Sequence, residues 1–159
     1  MSQQDKTRQL GIALLGLGEY SGEELAPALK ATNHCKLVAI ISDEPKKMEE
    51  WRKNYGLNEK CCYTYEQFDE IKDNPEIDIV YVVLPNTLHE EYVVRSAQAG
   101  KHVICEKPLA TTVEACQHMI DACREAGVRL SMGYHLHFDP YNQEMMRLRQ
   151  DKVFGQVKK

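Results

Sequence analysis

The turn Gly16-Leu17-Gly18 is the residue pattern with the clearest chemical use, and it directly follows the apolar run 10–15. Its first glycine permits a tight turn, and Gly18, which has no Cβ, lets the backbone approach a pyrophosphate closely. A helix that begins here turns its free N–H groups and the positive end of its dipole toward such an anion. The pattern therefore predicts a phosphate-binding turn; a β–α turn that needs glycine only for its shape is the alternative.

Lys107 is the residue whose type and position suit proton transfer. It follows the apolar run 103–105, and ligands of open α/β sheets bind outside the carboxyl ends of the strands. A lysine amine held beside a nicotinamide can exchange a proton with a substrate hydroxyl. From these residues alone, an exposed lysine at a strand end is the simpler interpretation.

The end of the second apolar run, 37–41, bears on which dinucleotide is bound. An acid at this point would bond the ribose 2′-OH of NAD, but here Ser42 takes that position if the strand ends at Ile41. Lys46 and Lys47 follow within reach of a 2′-phosphate, and Asp43, one residue late, could still serve a ribose. These residues favour NADP, with NAD possible; a solvated helix start is the alternative for the lysines.

The elements that must position these residues alternate regularly along the chain. The apolar runs are too short for helices and several are rich in β-branched residues, so they predict buried parallel strands at 10–15, 37–41, 77–84, 103–105 and 130–134, with an edge strand near 61–63. Between them, capping-box spacings predict helix starts at Ser21, Thr64, Thr87 and Thr111. A terminal helix is predicted to bury Phe138, Tyr141, Met145 and Leu148.

Strand–helix alternation of this kind predicts an α/β fold of the Rossmann type: a doubly wound parallel sheet in three layers with strand order 3-2-1-4-5-6. The 159 residues suffice for one domain with its own core. The net charge of −4 makes no electrostatic case for nucleic acid, and no apolar run has membrane-spanning length. We expect a cytoplasmic protein without a membrane partner.

Six cysteines are scattered without a C-x-x-C pair, as in a protein with reduced thiols. His135 and His137 alternate along the chain, but no third ligand accompanies them, so the sequence predicts no metal site.

Four ordered motifs make a family resemblance visible over almost the whole chain from about residue 10. Besides the glycine turn, the chain carries LPNTLH at 84–89, AGKHV at 99–103 followed by CEKP at 105–108, and GYHLHFDP at 133–140. With these motifs it resembles the N-terminal domain of the Gfo/Idh/MocA oxidoreductases, and within that family the glucose–fructose oxidoreductases.

The resemblance implies a role for each motif. The pyrophosphate would be wrapped by Gly16, Leu17, Gly18, Glu19 and Tyr20. A 2′-phosphate would be held by Ser42 and Lys47. The nicotinamide half would be lined by Leu84, Pro85, Asn86 and His89, with His135 where members place a polar residue near the cofactor.

The resemblance also implies the chemistry. Glu106 and Lys107 would belong to the family's Glu-Lys-Pro motif, whose lysine reaches the nicotinamide ribose and the substrate hydroxyl, and the Lys107–Pro108 peptide would be cis. Three positions depart from the family pattern: Ser21 replaces the third glycine, Ser42 replaces an acid, and His137 stands where many members have arginine.

Members of the family are about twice as long as this chain, and their second domain binds substrate and often forms the oligomer. We therefore expect residues 1–153 to form the NAD(P)-binding domain and residues 154–159 to begin a C-terminal substrate and oligomerisation domain. The implied activity is hydride transfer to or from a sugar or sugar-like alcohol, and the protein is a possible homo-oligomer. A non-catalytic dinucleotide-sensing or regulatory module of the same family is the alternative function.

Overall fold

The computed structural model describes residues 8–156. Its centre is a six-stranded parallel sheet with strand order 3-2-1-4-5-6, which confirms the predicted topology. The strands are β1 (Leu10–Leu15), β2 (Cys35–Ile41), β3 (Cys62–Tyr63), β4 (Ile79–Val82), β5 (His102–Cys105) and β6 (Leu130–Met132). The α-helices are α1 (Ala26–Ala31), α2 (Pro45–Tyr55), α3 (His89–Gln98), α4 (Val113–Glu125) and α5 (Pro140–Gln150).

Helices cover both faces of the sheet, because successive side chains of a strand point to opposite sides. In β1, Ile12 and Leu14 face a core that includes Ala26 of α1 and Trp51 of α2. The alternate residues of β1 face the other core, which contains the buried sides of α3 and α4. The three-layer Rossmann architecture is confirmed, and the carboxyl ends of all six strands meet at one edge.

The predicted helix starts are only partly correct. Thr64 and Gln67 form the reciprocal hydrogen bonds of a capping box before a short 3₁₀ helix, as predicted. At α4 the capping side chain is Thr112, one residue later than predicted, and α3 begins with no side-chain cap at all. Ser21 does not cap its helix, because its hydroxyl is used elsewhere in the phosphate turn.

The prediction of a buried face on the terminal helix is wrong. Phe138 is 80% exposed, and Tyr141 (83%) and Met145 (69%) of α5 are exposed as well. Helical periodicity indicates an apolar face but cannot say what covers it. Of the four residues predicted to be buried, only Leu148 is half-buried within the described residues 8–156.

Candidate functional site

The phosphate turn lies at the carboxyl edge of the sheet, directly after β1. Gly16 has a φ of +96°, and a Cβ there would lie 2.2 Å from the carbonyl oxygen of Val83. Its N–H also donates to the carbonyl of Ile41 at the end of β2. Gly16 is therefore required by both its backbone conformation and its close contact with the neighbouring strand.

Gly18, unlike Gly16, is not required by the fold itself. A Cβ at this residue would meet no atom within 4 Å, so the fold itself leaves space beside it. The carbonyl of Gly18 accepts the N–H of Gly22, and the first helical turn, Ser21–Leu25, is wound as a π-helix before α1. The hydroxyl of Ser21 is buried and donates to the carbonyl of Gly16 at 2.7 Å, which ties the helix start to the turn.

Replacement of Gly18 by valine tests whether this space serves a ligand. We expect the Gly18→Val protein to unfold within a few degrees of the wild type, because a Cβ at this position meets no atom within 4 Å. Dinucleotide binding should be lost, because the branched side chain occupies the volume that the phosphates need. Thermal unfolding and a fluorescence titration with NADPH measure the two effects. Unchanged binding by the folded variant would make Gly18 a turn residue only.

The structure brings the predicted ribose-binding residues to the end of β2. The strand ends at Ile41, so Ser42 does occupy the position that an acid would take. Ser42 is buried and its hydroxyl oxygen accepts the N–H of Glu44, which leaves the hydroxyl hydrogen free to donate. Asp43 is turned toward the β3 side, where one carboxylate oxygen accepts the N–H of Tyr65 at 2.8 Å.

Lys47 has a partner that the sequence did not predict. Its ammonium group lies 2.7 Å from a carboxylate oxygen of Glu44, one helical turn earlier. The Lys47 side chain is 35% exposed and that of Glu44 is 66% exposed, so the pair contributes little to stability, but it gives the predicted 2′-phosphate ligand a competing partner. A phosphate would therefore compete with Glu44 for Lys47.

The residues predicted to line the nicotinamide lie in the segments that follow β4 and β5. Pro85 and Asn86 are exposed at the start of a short 3₁₀ helix, Asn86–Leu88, which leads into α3. Lys107 is also exposed, and the Lys107–Pro108 peptide is cis, as predicted. An exposed amine beside this loop is free to meet a ligand at the edge of the sheet.

Glu106 is held from several sides. One carboxylate oxygen accepts the hydroxyl of Tyr81 at 2.8 Å, and the other accepts the backbone N–H of Lys107 at 3.1 Å. The carboxylate is buried, and a Cβ on Gly133 would lie 2.7 Å from it. Because of this packing, Glu106 fixes the start of the Lys107 segment rather than projecting freely into the cleft.

Tyr81 and Gly133 are the functional candidates that the sequence analysis missed. Burial, reinforced by the hydrogen bond to Glu106, raises the pKa of Tyr81, so its hydroxyl stays protonated and keeps donating. Burial and the nearby Glu106 carboxylate also raise the pKa of Tyr20, the last residue of the predicted pyrophosphate-binding segment. The only signals in the sequence were a tyrosine in a buried strand and a glycine just after β6.

The two predicted site histidines differ in exposure. His89 is only 1% exposed, and both of its ring nitrogens face main-chain carbonyl oxygens. His135 is exposed in a one-turn 3₁₀ helix, His135–His137, after β6. Glu19, by contrast, is exposed next to Gly18 at the mouth of the turn, and Leu17 is buried beneath it.

Known proteins are similar to this chain in sequence and in fold. A model of an oxidoreductase family with an NAD-binding Rossmann fold matches residues 10–134. The crystal structure of the aldose-aldose oxidoreductase from Caulobacter crescentus, complexed with glycerol, is 45% identical with a TM-score of 0.90, and the match covers 92% of this chain and 44% of that one.

Two curated proteins are also similar to this chain in sequence. The NADP(+) D-xylose 1-dehydrogenase of Haloarcula marismortui is 31% identical over 129 residues, 81% of this chain and 36% of that protein. The 1,5-anhydro-D-fructose reductase of Ensifer adhaerens is 34% identical over 123 residues, 77% of this chain and 35% of that protein. The chain thus spans well under half the length of these relatives.

Residues 8–156 contain no helix both long and apolar enough to cross a membrane. The phosphate turn, the strand order and the Glu106-Lys107-Pro108 segment occur together in a chain whose family match covers most of its length. The chain therefore belongs to the Gfo/Idh/MocA oxidoreductases, the family with an NAD-binding Rossmann fold.

Proposed function

We propose that this chain is the cofactor-binding part of an oxidoreductase that moves a hydride between a nicotinamide and a sugar or sugar-like alcohol. The observation that carries the proposal is the exposed Lys107, held by the buried Glu106 at the same sheet edge as the phosphate turn. The relatives named above are enzymes of aldoses, D-xylose and 1,5-anhydro-D-fructose, which supports a sugar-like substrate over a purely regulatory role.

Different residues of the site would bind different parts of the cofactor. The turn at Gly16 and Gly18 would receive the pyrophosphate, with Glu19 and Tyr20 beside it, and the segment 84–86 would border the nicotinamide. The bound dinucleotide supplies or accepts the hydride. Lys107 would take the proton from the substrate hydroxyl during oxidation and return it during reduction.

We assign residues 1–153 to the cofactor domain and residues 154–159 to the start of a substrate domain, of which 157–159 lie outside the described part of the chain. The exposed Phe138, Tyr141 and Met145 support this assignment, because an apolar face of this kind marks a surface that another part of a protein covers. We also propose that the complete protein is a homo-oligomer in the cytoplasm.

Hydride transfer is tested in a form of the protein that extends through the proposed second domain. NADP is mixed with a panel of aldoses and polyols, and the absorbance of reduced nicotinamide is followed. Sugar-dependent reduction supports the proposal and names the substrate. Saturable cofactor binding without reduction by any sugar would instead favour the dinucleotide-sensing alternative.

We further propose that NADP(H) binds more tightly than NAD(H), because Ser42 replaces the acid and Lys47 lies beside it. Lys47→Ala should weaken NADP(H) binding roughly 10-fold, since a hydrogen bond to a charged group contributes about 1.5–3 kcal/mol. NAD(H) binding should stay within about 2-fold, because NAD has no 2′-phosphate to lose this contact. Calorimetric titration of each variant with both cofactors measures the preference.

Two further variants sharpen this test. Glu44→Gln frees Lys47 from its ion pair and should strengthen NADP(H) binding a few-fold. Lys53→Ala is the matched control, because Lys53 also lies on α2 and also pairs with a glutamate, Glu49. Equal affinities for both cofactors, unchanged in Lys47→Ala, would refute the assignment of the lysine.

A further inference from the structure

His89 is the first residue of α3 and joins two loops of the candidate site. Its Nε2 lies 2.8 Å from the carbonyl oxygen of Leu84, in the loop after β4. Its Nδ1 lies 2.9 Å from the carbonyl oxygen of Pro108 and 3.2 Å from that of Leu109, in the loop after β5. The ring is almost completely buried, so the three carbonyl oxygens rather than water are its polar surroundings.

The chemistry of these partners restricts the ring. A main-chain carbonyl oxygen only accepts hydrogen bonds, so each ring nitrogen must carry a hydrogen to bond it. The nitrogen that carries a hydrogen bonds the loop that it faces, and the rigid ring fills the space between the two loops.

The two loops carry the residues that would face the nicotinamide and the substrate. Leu84 directly precedes Pro85 and Asn86, whereas Pro108 directly follows Lys107. A bridge between these main chains sets the distance between the cofactor wall and the lysine amine. A misplacement of about 1 Å at such a site can cost ~100-fold in rate.

We propose that His89 is a positioning residue: its buried ring lies between the loop of Asn86 and the loop of Lys107 and holds them in fixed register. The bridge itself is independent of the proposed function, but its effect on catalysis rests on that function. His89 acts through the two main chains and does not itself touch the reacting atoms.

The contacts of the ring are tested directly in the wild-type chain by ¹⁵N NMR. We expect a ring N–H of His89 to exchange slowly with water and to show a scalar coupling across its hydrogen bond to the carbonyl carbon of Leu84, Pro108 or Leu109. A ring N–H that exchanges rapidly and shows no such coupling would overturn the bridge. This measurement requires neither cofactor nor turnover, and no variant needs to fold.

The positioning role is tested with His89→Gln, which keeps a hydrogen-bond donor but removes the rigid ring that lies between the two loops. In the sugar-active form we expect kcat to fall roughly 10- to 100-fold while the KM for the sugar stays within about 3-fold. His118→Gln is the matched control, because His118 is exposed and bonds only Glu90 on the surface of α3. It should retain wild-type kcat.

The outcomes separate the two proposals. An inactive wild type whose His89 ring N–H is coupled to a loop carbonyl contradicts the proposed function and leaves the bridge in place. An active wild type in which His89→Gln retains full kcat contradicts the positioning role. A fall in kcat for His89→Gln alone, together with the NMR signature, supports both.

Discussion

Lys107→Ala should lower kcat roughly 10²–10⁴-fold in the sugar-active form, the range that a positioned acid or base contributes. Cofactor affinity should stay within a few-fold of wild type, because Lys107 is exposed at the edge of the cleft and the phosphate turn does not depend on it. Steady-state kinetics with saturating sugar and a fluorescence titration with NADPH measure the two quantities separately.

Lys107→Arg provides the matched control, since it retains the positive charge on a long side chain. The guanidinium group does not release its proton in proteins, so this variant should remain as slow as the alanine variant if Lys107 transfers protons. Recovery of activity by arginine would indicate that only the charge matters. A fully active Lys107→Ala protein would contradict any acid–base role.

The 159-residue chain alone should bind the dinucleotide without turning over a sugar at a measurable rate. The phosphate turn, the end of β2 and Lys107 are all present in it. Catalysis also requires the substrate to be held against the nicotinamide, and such positioning can supply ~7–11 kcal/mol of the barrier. We assign that task to the proposed second domain, so its removal should cost at least about 10⁵-fold in rate.

A fluorescence titration with NADPH and an absorbance assay with aldoses and polyols, run on the same preparation, measure both parts of this prediction. Saturable binding with a flat absorbance trace is the expected result. We also expect concentration-dependent self-association by sedimentation, reduced by Phe138→Ser with Tyr141→Ser, because these side chains are exposed on α5. Robust sugar-dependent reduction of NADP by this chain would show that the site is complete without a second domain.

Local patterns were enough to predict the sheet and the two chemical segments. Short apolar runs separated by amphipathic stretches identify buried parallel strands, and the strand order follows from the few topologies that such alternation allows. The glycine turn after β1 and the lysine after β5 are fixed by their places relative to those strands. Each of these inferences depends on residues a few positions apart, which is the range over which periodicity and turn chemistry act.

Contacts between distant parts of the chain were decided only by the tertiary structure. Tyr81 meets Glu106 across 25 residues, and His89 meets the carbonyl of Pro108 across 19. Neither contact can be predicted from sequence periodicity, because one hydrogen bond between two elements requires no repeated residue pattern in either element.

The sequence by itself determined that this chain is a Rossmann domain with a phosphate turn and a Glu-Lys-Pro segment. The tertiary structure decided which side chains reach the cleft. In the structure His89 is buried between two loops, Lys47 pairs with Glu44, and the apolar face of α5 is largely exposed. The physical reason is that burial and pairing depend on which surfaces meet, whereas a sequence pattern states only which surfaces are available to meet.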